Sequence, residues 1–421
     1  MDSQNGQRKN FLDRLGPGLI TGASDDDPSG IGTYTQAGAS LGYATLWTAI
    51  MTLPLMVVVQ HVCAKIGMCS GQGLAGVLKK YYSRWLLYPT VFGLVIANTI
   101  NAGVDIAAIA AAINMFLPIP IWAMVVPIAL TIVVLQIWGS YNLIVRIFKW
   151  LTLSLFAYVI AAFLARPDWA AVAKATFWPE VTFDGQYLTT LVAILGTTIS
   201  PYLFFWEASE EVEEERAIGR TKLSERKGAT DLEIKNEKID TVVGMLFCNI
   251  VFYFVILAAA STLHANGQTQ IQSATDAAQA LRPLAGDLAT VLFAVGIIGA
   301  GLLAVPVLTG SVAYAVAETF GWAEGLDERP GKAKKFYGVI AVATIVGVFI
   351  NFTGINPIKA LFWTAVINGV IAPPLLAIVM IVSNNKKILK ERTNGSFANV
   401  VGWLAVVVMF AAAVGMFMTW R

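Results

Sequence analysis

The sequence predicts an all-α polytopic membrane protein with two inverted five-helix repeats and an eleventh transmembrane helix. Of its 421 residues, 57% are hydrophobic and only 13% are charged, and the mean hydropathy is +0.66. A soluble domain carries about 25% charged residues. Apolar stretches long enough to cross a bilayer recur along the whole chain, and the first and sixth of them are broken at a proline.

The chain is expected to form one transmembrane domain over residues 1–421. Residues 1–16 are its polar N-terminus, 17–165 the first repeat, 187–382 the second repeat and 397–420 helix 11. The connections leave no room for a soluble domain, and the cysteines form no C-x-x-C pair that would indicate a zinc or disulfide framework. The predicted spans are 17–38, 43–67, 85–116, 121–139, 143–165, 187–212, 239–263, 286–318, 336–351, 357–382 and 397–420.

The basic residues predict the orientation of the chain. With the N-terminus inside, all but five of the 29 lysine and arginine residues fall in inside segments. The exceptions are Arg166, Lys174, Arg282, Lys359 and Arg421. Because inside segments carry the excess of Lys and Arg, we expect a cytoplasmic N-terminus and an extracellular C-terminus. The expected location is a bacterial plasma membrane.

The first span is interrupted where a membrane helix should be continuous. The run Asp27-Pro28-Ser29-Gly30 follows two further aspartates. Ten residues at about 1.5 Å each place Asp27 roughly 15 Å deep, near the middle of a bilayer core of about 30 Å. A carboxylate there is costly and marks an ion or proton path, and a broken helix frees carbonyl oxygens beside it. The pattern predicts a cation site, although Asp before Pro is also a common helix cap.

The sixth span carries a matching interruption at Ser200-Pro201. A repeat of five spans gives two halves of opposite orientation. Paired interruptions at corresponding positions of two such halves point to the central site of a transporter.

Three runs resemble the Nramp family of divalent-metal transporters. The first span reads GPGLITGASDDDPSGIGTYTQAGASLGY, similar to the family's G-P-x…D-P-G-N…GA pattern. The sixth reads GTTISPYLFFWEAS, similar to GATVMPHNLFLHS, and the third reads NAGVDIAAI, similar to ATDLAE. The resemblance follows the span order over essentially the whole chain. It implies the LeuT-type fold of five-plus-five inverted repeats and transport by alternating access.

The resemblance also implies metal ligands, several of them altered. Asp27 matches the family's metal-binding aspartate, whereas Gly30 replaces its asparagine ligand. Thr197 replaces an alanine whose carbonyl coordinates metal, and Ser200 replaces the methionine thioether ligand. Ser24, one turn before the break, is a further candidate ligand with weaker support.

A second set of residues is expected to line the ion pathway. Asp105 in the third span matches a family aspartate, and Tyr202 and Glu207 replace the two histidines of the sixth helix. Asp26 and Asn368 complete this set, the latter because span 10 borders the site in the LeuT-type fold. Proton-coupled members carry a glutamate in the third span and basic residues in the ninth. Here Ala108 replaces the glutamate, and the ninth span has no arginine.

These substitutions change the expected ion. A thioether favours transition metals, whereas carboxylate, hydroxyl and carbonyl oxygens suit hard cations. Asn→Gly and Met→Ser also open space, and Mg²⁺ tends to keep several of its waters. We therefore expect transport of Mg²⁺, partly hydrated, with Mn²⁺ also accepted, as in the Nramp-related magnesium transporters.

Proton coupling is expected to be absent, because the sixth span has no histidine to titrate near neutral pH. The membrane potential alone favours entry of a divalent ion by about 2.3 kcal/mol per charge per 100 mV. Beyond the transported ion and the lipid bilayer, we expect no cofactor, no nucleic acid and no obligate protein partner.

Several residues have a second interpretation. Thr197, Ser200 and Ser24 could bond back to their own helices, and Tyr202 could be a packing aromatic. Asn98, Asn101 and Asn368 could be ordinary interhelical hydrogen-bond donors. The acidic residues after the break, Glu211, Glu213, Glu214 and Glu215, are expected to face solvent, with a short helix possible in the segment 210–238.

Other functions remain open at this point. A proton-coupled Mn²⁺ or Fe²⁺ importer of the usual Nramp kind is the main alternative, followed by a sodium-coupled organic-solute carrier of the same fold. A channel is less consistent with paired broken helices. An enzyme is not expected, because the chain has no HExxH or GxSxG motif and only two histidines.

Overall fold

The computed structural model describes residues 17–139 and 153–420. The predicted N-terminus 1–16, the start of the predicted fifth span and Arg421 lie outside the described residues. Within the described ranges the chain is almost entirely helical and contains no strand.

The α-helices pack as one bundle around the two broken spans. They are α1 Pro17–Asp25, α2 Pro28–Leu41, α3 Trp47–Ser70, α4 Leu74–Tyr81, α5 Arg84–Asn114, α6 Ile121–Trp138, α7 Ala157–Leu164, α8 Trp169–Phe177, α9 Gly185–Thr198, α10 Pro201–Ala217, α11 Asp231–Thr262, α12 Ala274–Ala278, α13 Arg282–Ala285, α14 Ala289–Phe320, α15 Lys334–Phe349, α16 Pro357–Ser383, α17 Lys386–Leu389 and α18 Ser396–Thr419. Short 3₁₀ turns lie at Gly42–Thr45, Leu153–Phe156, His264–Asn266, Gln279–Leu281, Gly286–Leu288, Ile350–Phe352 and Lys390–Arg392.

The spanning helices agree with the hydropathy pattern. Nine helical segments of the described part are long and apolar enough to cross a membrane. A tenth is added if Ser154–Leu164 and Trp169–Phe177, which meet at 119°, form one bent span. The first broken span is not among these, but its two halves pack against α5, α11 and α16. The predicted all-α membrane fold is confirmed, whereas the limits of the two repeats stay predictions.

Both predicted breaks are present and have the same form. Helix α1 ends at Asp25 and α2 begins at Pro28, while α9 ends at Thr198 and α10 begins at Pro201. Each second half therefore starts on a proline, whose missing N–H and fixed φ suit the first position of a helix but not its interior. The two unwound residues before each proline expose backbone groups inside the bundle.

The acidic end of α10 is less exposed than expected. Helix α10 continues to Ala217 and packs between α3 and α14, and no helix forms before Asp231. Glu211 and Glu215 are buried, so the expectation that they face solvent is wrong. Arg220 forms an ion pair of 2.6 Å with Glu215, which compensates that charge. Sequence polarity did not indicate that neighbouring helices cover this turn.

The broken helix α9 approaches α16 so closely that only glycine fits at the contact. A Cβ on Gly196 would lie 2.2 Å from the Ala365 carbonyl oxygen and from the Gly369 nitrogen. This contact holds the second break against the tenth predicted span. Gly196 and Gly369 both lack a side chain, so the backbones of α9 and α16 can approach this closely.

Replacing Gly196 by alanine is expected to lower the unfolding temperature of the purified protein, because overpacking costs about 1–3 kcal/mol. The matched control is Gly338→Ala in α15, where a Cβ meets nothing within 4 Å. That exchange should stabilise by up to about 1 kcal/mol, since alanine is the better helix former. Thermal melts in detergent compare the two, and equal shifts would contradict the close approach.

Candidate functional site

Asp27 lies in the first break and is almost fully buried, with 1% of its surface exposed. One carboxylate oxygen accepts hydrogen bonds from the Gly30 backbone N–H at 2.6 Å and from the Ser29 hydroxyl at 2.7 Å. The other accepts from the Asn101 side-chain amide at 2.8 Å. Asp27 is thus the N-cap of α2, and the cap fixes the carboxylate in the break. Since each oxygen has more than one lone pair, a capping role leaves room for a cation.

Asn101 links the first break to two other helices. Its amide also donates to Asp105, one turn further along α5, at 3.1 Å. Its carbonyl oxygen accepts from Asn368 of α16 at 3.3 Å. The remaining side-chain oxygens of Asp105 and Asn368 are buried without a hydrogen-bond partner in the described part of the chain. A polar cluster therefore extends from Asp27 into α5 and α16.

From the sequence, Asn101 was expected only as one of several interhelical hydrogen-bond donors. Its position between Asp27, Asp105 and Asn368 was not predicted. The available signal was its spacing from Asp105, because residues four apart share a helix face. Asp105 and Asn368, both predicted to line the pathway, are connected to Asp27 through Asn101.

Gly30 faces the second broken helix. A Cβ built on Gly30 would lie 3.0 Å from the Thr197 hydroxyl oxygen, 3.3 Å from the Asp25 carbonyl oxygen and 3.4 Å from a carboxylate oxygen of Asp27. Three oxygens from three residues therefore surround the position that a larger side chain would fill. The absence of a side chain here brings Thr197 and Asp27 to the edge of one small space.

The other predicted ligands point into their own helices in this conformation. The Ser200 hydroxyl donates to the carbonyl oxygen of Thr197 at 2.7 Å, and the Ser24 hydroxyl donates to that of Ile20 at 2.8 Å. Tyr202 connects the two breaks, because its hydroxyl donates to the Ser24 carbonyl oxygen at 2.9 Å. A serine oxygen that donates a hydrogen bond can still bind a cation through its lone pairs. In this conformation, however, neither serine hydroxyl donates to Asp27.

The two aspartates before Asp27 are buried as well, each with 1% exposure. One Asp25 oxygen lies 3.4 Å from the Cys248 sulfur, which donates to it from α11. The other Asp25 oxygen and both Asp26 oxygens have no hydrogen-bond partner among the residues that the structure describes. Asp25 and Asp26 thus bring further carboxylate oxygens to the α1 side of the break.

Glu207 closes the route from the break towards the start of α1. Its carboxylate accepts a hydrogen bond from Thr21, one turn before Asp25, and its second oxygen is unpartnered in the described ranges. Further along, the Gly18 backbone N–H donates to Asp240 at 2.8 Å. Helix α1 is therefore bonded to both α10 and α11 on this side.

The opposite side is open. A cavity of about 390 Å³ begins at Gly32, five residues after Asp27, and is lined by both polar and large apolar side chains. Its polar lining residues are Gln36, Ser40, Gln186, Thr189, Thr190, Gln270 and Lys359. With Asp27 itself buried, the conformation is closed at α1 and has a vestibule of mixed polarity at the predicted outer end.

The donor set favours a hard cation over a soft one. Across residues 17–139 and 153–420, no group of three or more His, Cys, Asp or Glu side chains is placed to hold a metal ion. The arrangement offers the Asp27 carboxylate, with those of Asp25, Asp26 and Asp105 nearby, a threonine hydroxyl, amide oxygens and unwound backbone carbonyls. Oxygen ligands of this kind suit Mg²⁺, Mn²⁺ and Ca²⁺.

Comparisons with known proteins agree over the full chain. The divalent metal cation transporter MntH of Bacillus subtilis (strain 168) is 27% identical over 425 residues, covering 97% of this chain and 93% of that protein. A crystal structure of the Eremococcus coleocola manganese transporter, at 17% identity, superposes with a TM-score of 0.76 and covers 100% of this chain and 88% of that one. Mhp1, a nucleobase-cation-symport-1 family transporter, superposes with a TM-score of 0.61 at 12% identity and covers 96% of this chain and 92% of its own.

The structural neighbours confirm the predicted arrangement of broken helices within an inverted-repeat transporter fold. The model of the family "Nramp: Natural resistance-associated macrophage protein-like" matches residues 18–419. The match runs from the start of α1 to the end of α18, and the chain therefore belongs to the Nramp family.

Proposed function

We propose that this chain carries a divalent metal cation across the membrane by alternating access, with the ion bound at Asp27 between the two broken helices. The observation that carries the proposal is the buried Asp27 carboxylate, fixed by Asn101 and Gly30 and facing Thr197 across the break. A buried charge of this kind requires a partner, and a divalent cation provides it.

Manganese is the first candidate cargo. The relative from Bacillus subtilis is named a divalent metal cation transporter, and the superposed crystal structure is titled a manganese transporter. Mn²⁺ also fits an oxygen-rich site. These comparisons support the proton-coupled manganese alternative better than they support a preference for magnesium.

Magnesium remains a second candidate because of the site's own residues. Gly30 leaves space beside Asp27, and Ser200 supplies an oxygen instead of the family's thioether. A hydrated Mg²⁺ needs such space and few direct ligands. The proposal is therefore a hard-cation transporter that accepts Mn²⁺ and Mg²⁺ at one site.

Asp27→Asn is expected to reduce Mn²⁺ uptake into proteoliposomes by at least about tenfold, because the charged group proposed to hold the ion is lost. Ser29→Ala is the matched control, since it removes one hydrogen bond to the same carboxylate but leaves its charge. That control should keep most of the uptake. Uptake above half of the wild-type rate in folded Asp27→Asn protein would contradict the site.

Ser200→Met is expected to shift selectivity towards soft ions. The measurement is inhibition of Mn²⁺ uptake by Cd²⁺ and by Mg²⁺. The thioether should increase the Cd²⁺-to-Mg²⁺ ratio of inhibitory potency by about tenfold. Ser200→Ala, which removes the oxygen without adding sulfur, is the control. An unchanged Cd²⁺-to-Mg²⁺ ratio in Ser200→Met would place Ser200 outside the ion's coordination.

Metal uptake is expected to proceed without proton entry, because α10 carries Tyr202 and Glu207 and no histidine. The measurement is a pH-sensitive dye inside proteoliposomes during Mn²⁺ uptake at a fixed inside-negative potential. A steady internal pH is the expected result. Acidification in step with metal entry would instead support the proton-coupled alternative.

A further inference from the structure

A second cavity lies where α4, the end of α10 with the loop that follows it, and the end of α14 meet. Its volume is about 490 Å³. The charged and aromatic residues that line it include Lys79, Lys80, Arg216, Arg226, Glu318 and Trp322. By the predicted orientation, this is the cytoplasmic end of the molecule.

Three of the cations in this cavity lack an acidic partner. In the described part of the chain, no ion pair is formed by Lys79, Lys80 or Arg226. All residues that line the cavity belong to that part. Arg226 is only 8% exposed, and its guanidinium donates to the carbonyl oxygens of Gly71 at 3.3 Å and Thr221 at 2.6 Å. The backbone holds this charge in place without neutralising it.

The acidic residues of the cavity are already engaged. Both carboxylate oxygens of Glu318 accept backbone N–H groups at the start of α4, from Gly73 at 2.6 Å and Gly76 at 2.9 Å. Burial, together with the charge of Glu318, raises the pKa of Glu324 to about 9. Glu324 also forms an ion pair with Arg216 at 3.4 Å. With four basic and two acidic side chains in its wall, the cavity keeps an excess of positive charge.

The surroundings of the cavity resemble a membrane–water boundary. Trp85, the second residue of α5, is 90% exposed, and Phe320 at the end of α14 is also exposed. Phe320 stacks on Trp322 of the cavity wall with ring centroids 5.0 Å apart. Exposed aromatic side chains of this kind lie at the level of lipid headgroups. Through Phe320 and Trp322, the positive cavity is next to an exposed aromatic surface that acyl chains would cover.

We propose that this cavity binds the phosphate headgroup of an anionic phospholipid of the inner leaflet. Lys79, Lys80 and Arg226 supply the positive charge, and the acyl chains lie along Trp85 and Phe320. Basic pockets between membrane helices on the cytoplasmic side are suited to such headgroups. A lipid in this position joins α4 to α14 and to the loop that follows α10, and it is independent of which metal the protein carries.

The test measures lipid binding to the purified full-length protein by native mass spectrometry with added phosphatidylglycerol. The variant Lys79→Gln/Lys80→Gln is compared with Lys386→Gln/Lys387→Gln, which changes the charge equally. Lys386 and Lys387 are exposed on α17, at the same end of the molecule, because Asn385 donates to Tyr82 beside α4 at 3.2 Å.

Wild-type and control protein are expected to retain one tightly bound phosphatidylglycerol, and the Lys79→Gln/Lys80→Gln variant should bind it at least about tenfold more weakly. All four lysines are exposed. Because Lys79 also donates to the Glu318 carbonyl oxygen at 3.3 Å, thermal melts verify that the exchanges leave the fold intact. Equal weakening in both variants would show general surface charge and overturn the proposal. Displacement of the lipid by excess inorganic phosphate would assign the cavity to a free anion and overturn it as well.

Discussion

The buried carboxylate of Asp27 is the constraint around which this structure is arranged. Its charge lies near the middle of the bundle, where desolvation is expensive unless the charge is paired and hydrogen-bonded. The first turn of α2 provides the Gly30 N–H, and α5 provides the Asn101 amide. These donors stabilise the carboxylate without neutralising it. In the proposed function, a cation in the break meets the remaining requirement.

Contacts with neighbouring helices hold the two broken helices around the proposed binding site. Two broken helices meet there, each restarting on a proline, and the close approach at Gly196 holds the second of them against α16. The Tyr202 hydroxyl joins one break to the other through the Ser24 carbonyl oxygen. On the α1 side, Thr21 and Glu207 are bonded to each other, so passage in that direction requires α1 and α10 to separate.

Hydropathy and proline placement predicted the spans and both breaks closely, because burial in lipid restricts a chain to helices and makes an interrupted helix conspicuous. The contacts inside the bundle were harder to predict. Hydropathy does not say which helix face meets which neighbour, so the bridging position of Asn101 and the burial of Glu211 were missed. The bent arrangement of α7 and α8, which meet at 119°, also went unforeseen because it depends on packing.

The central claim is that the transported cation binds beside Asp27 between the two breaks. Anomalous X-ray scattering from crystals soaked in Mn²⁺ tests this most directly, with Asp27→Asn crystals treated in the same way. We expect one manganese peak at the Asp27 carboxylate, near Thr197, that disappears in the variant. A strong peak elsewhere in the bundle, or one that persists in Asp27→Asn, would contradict it.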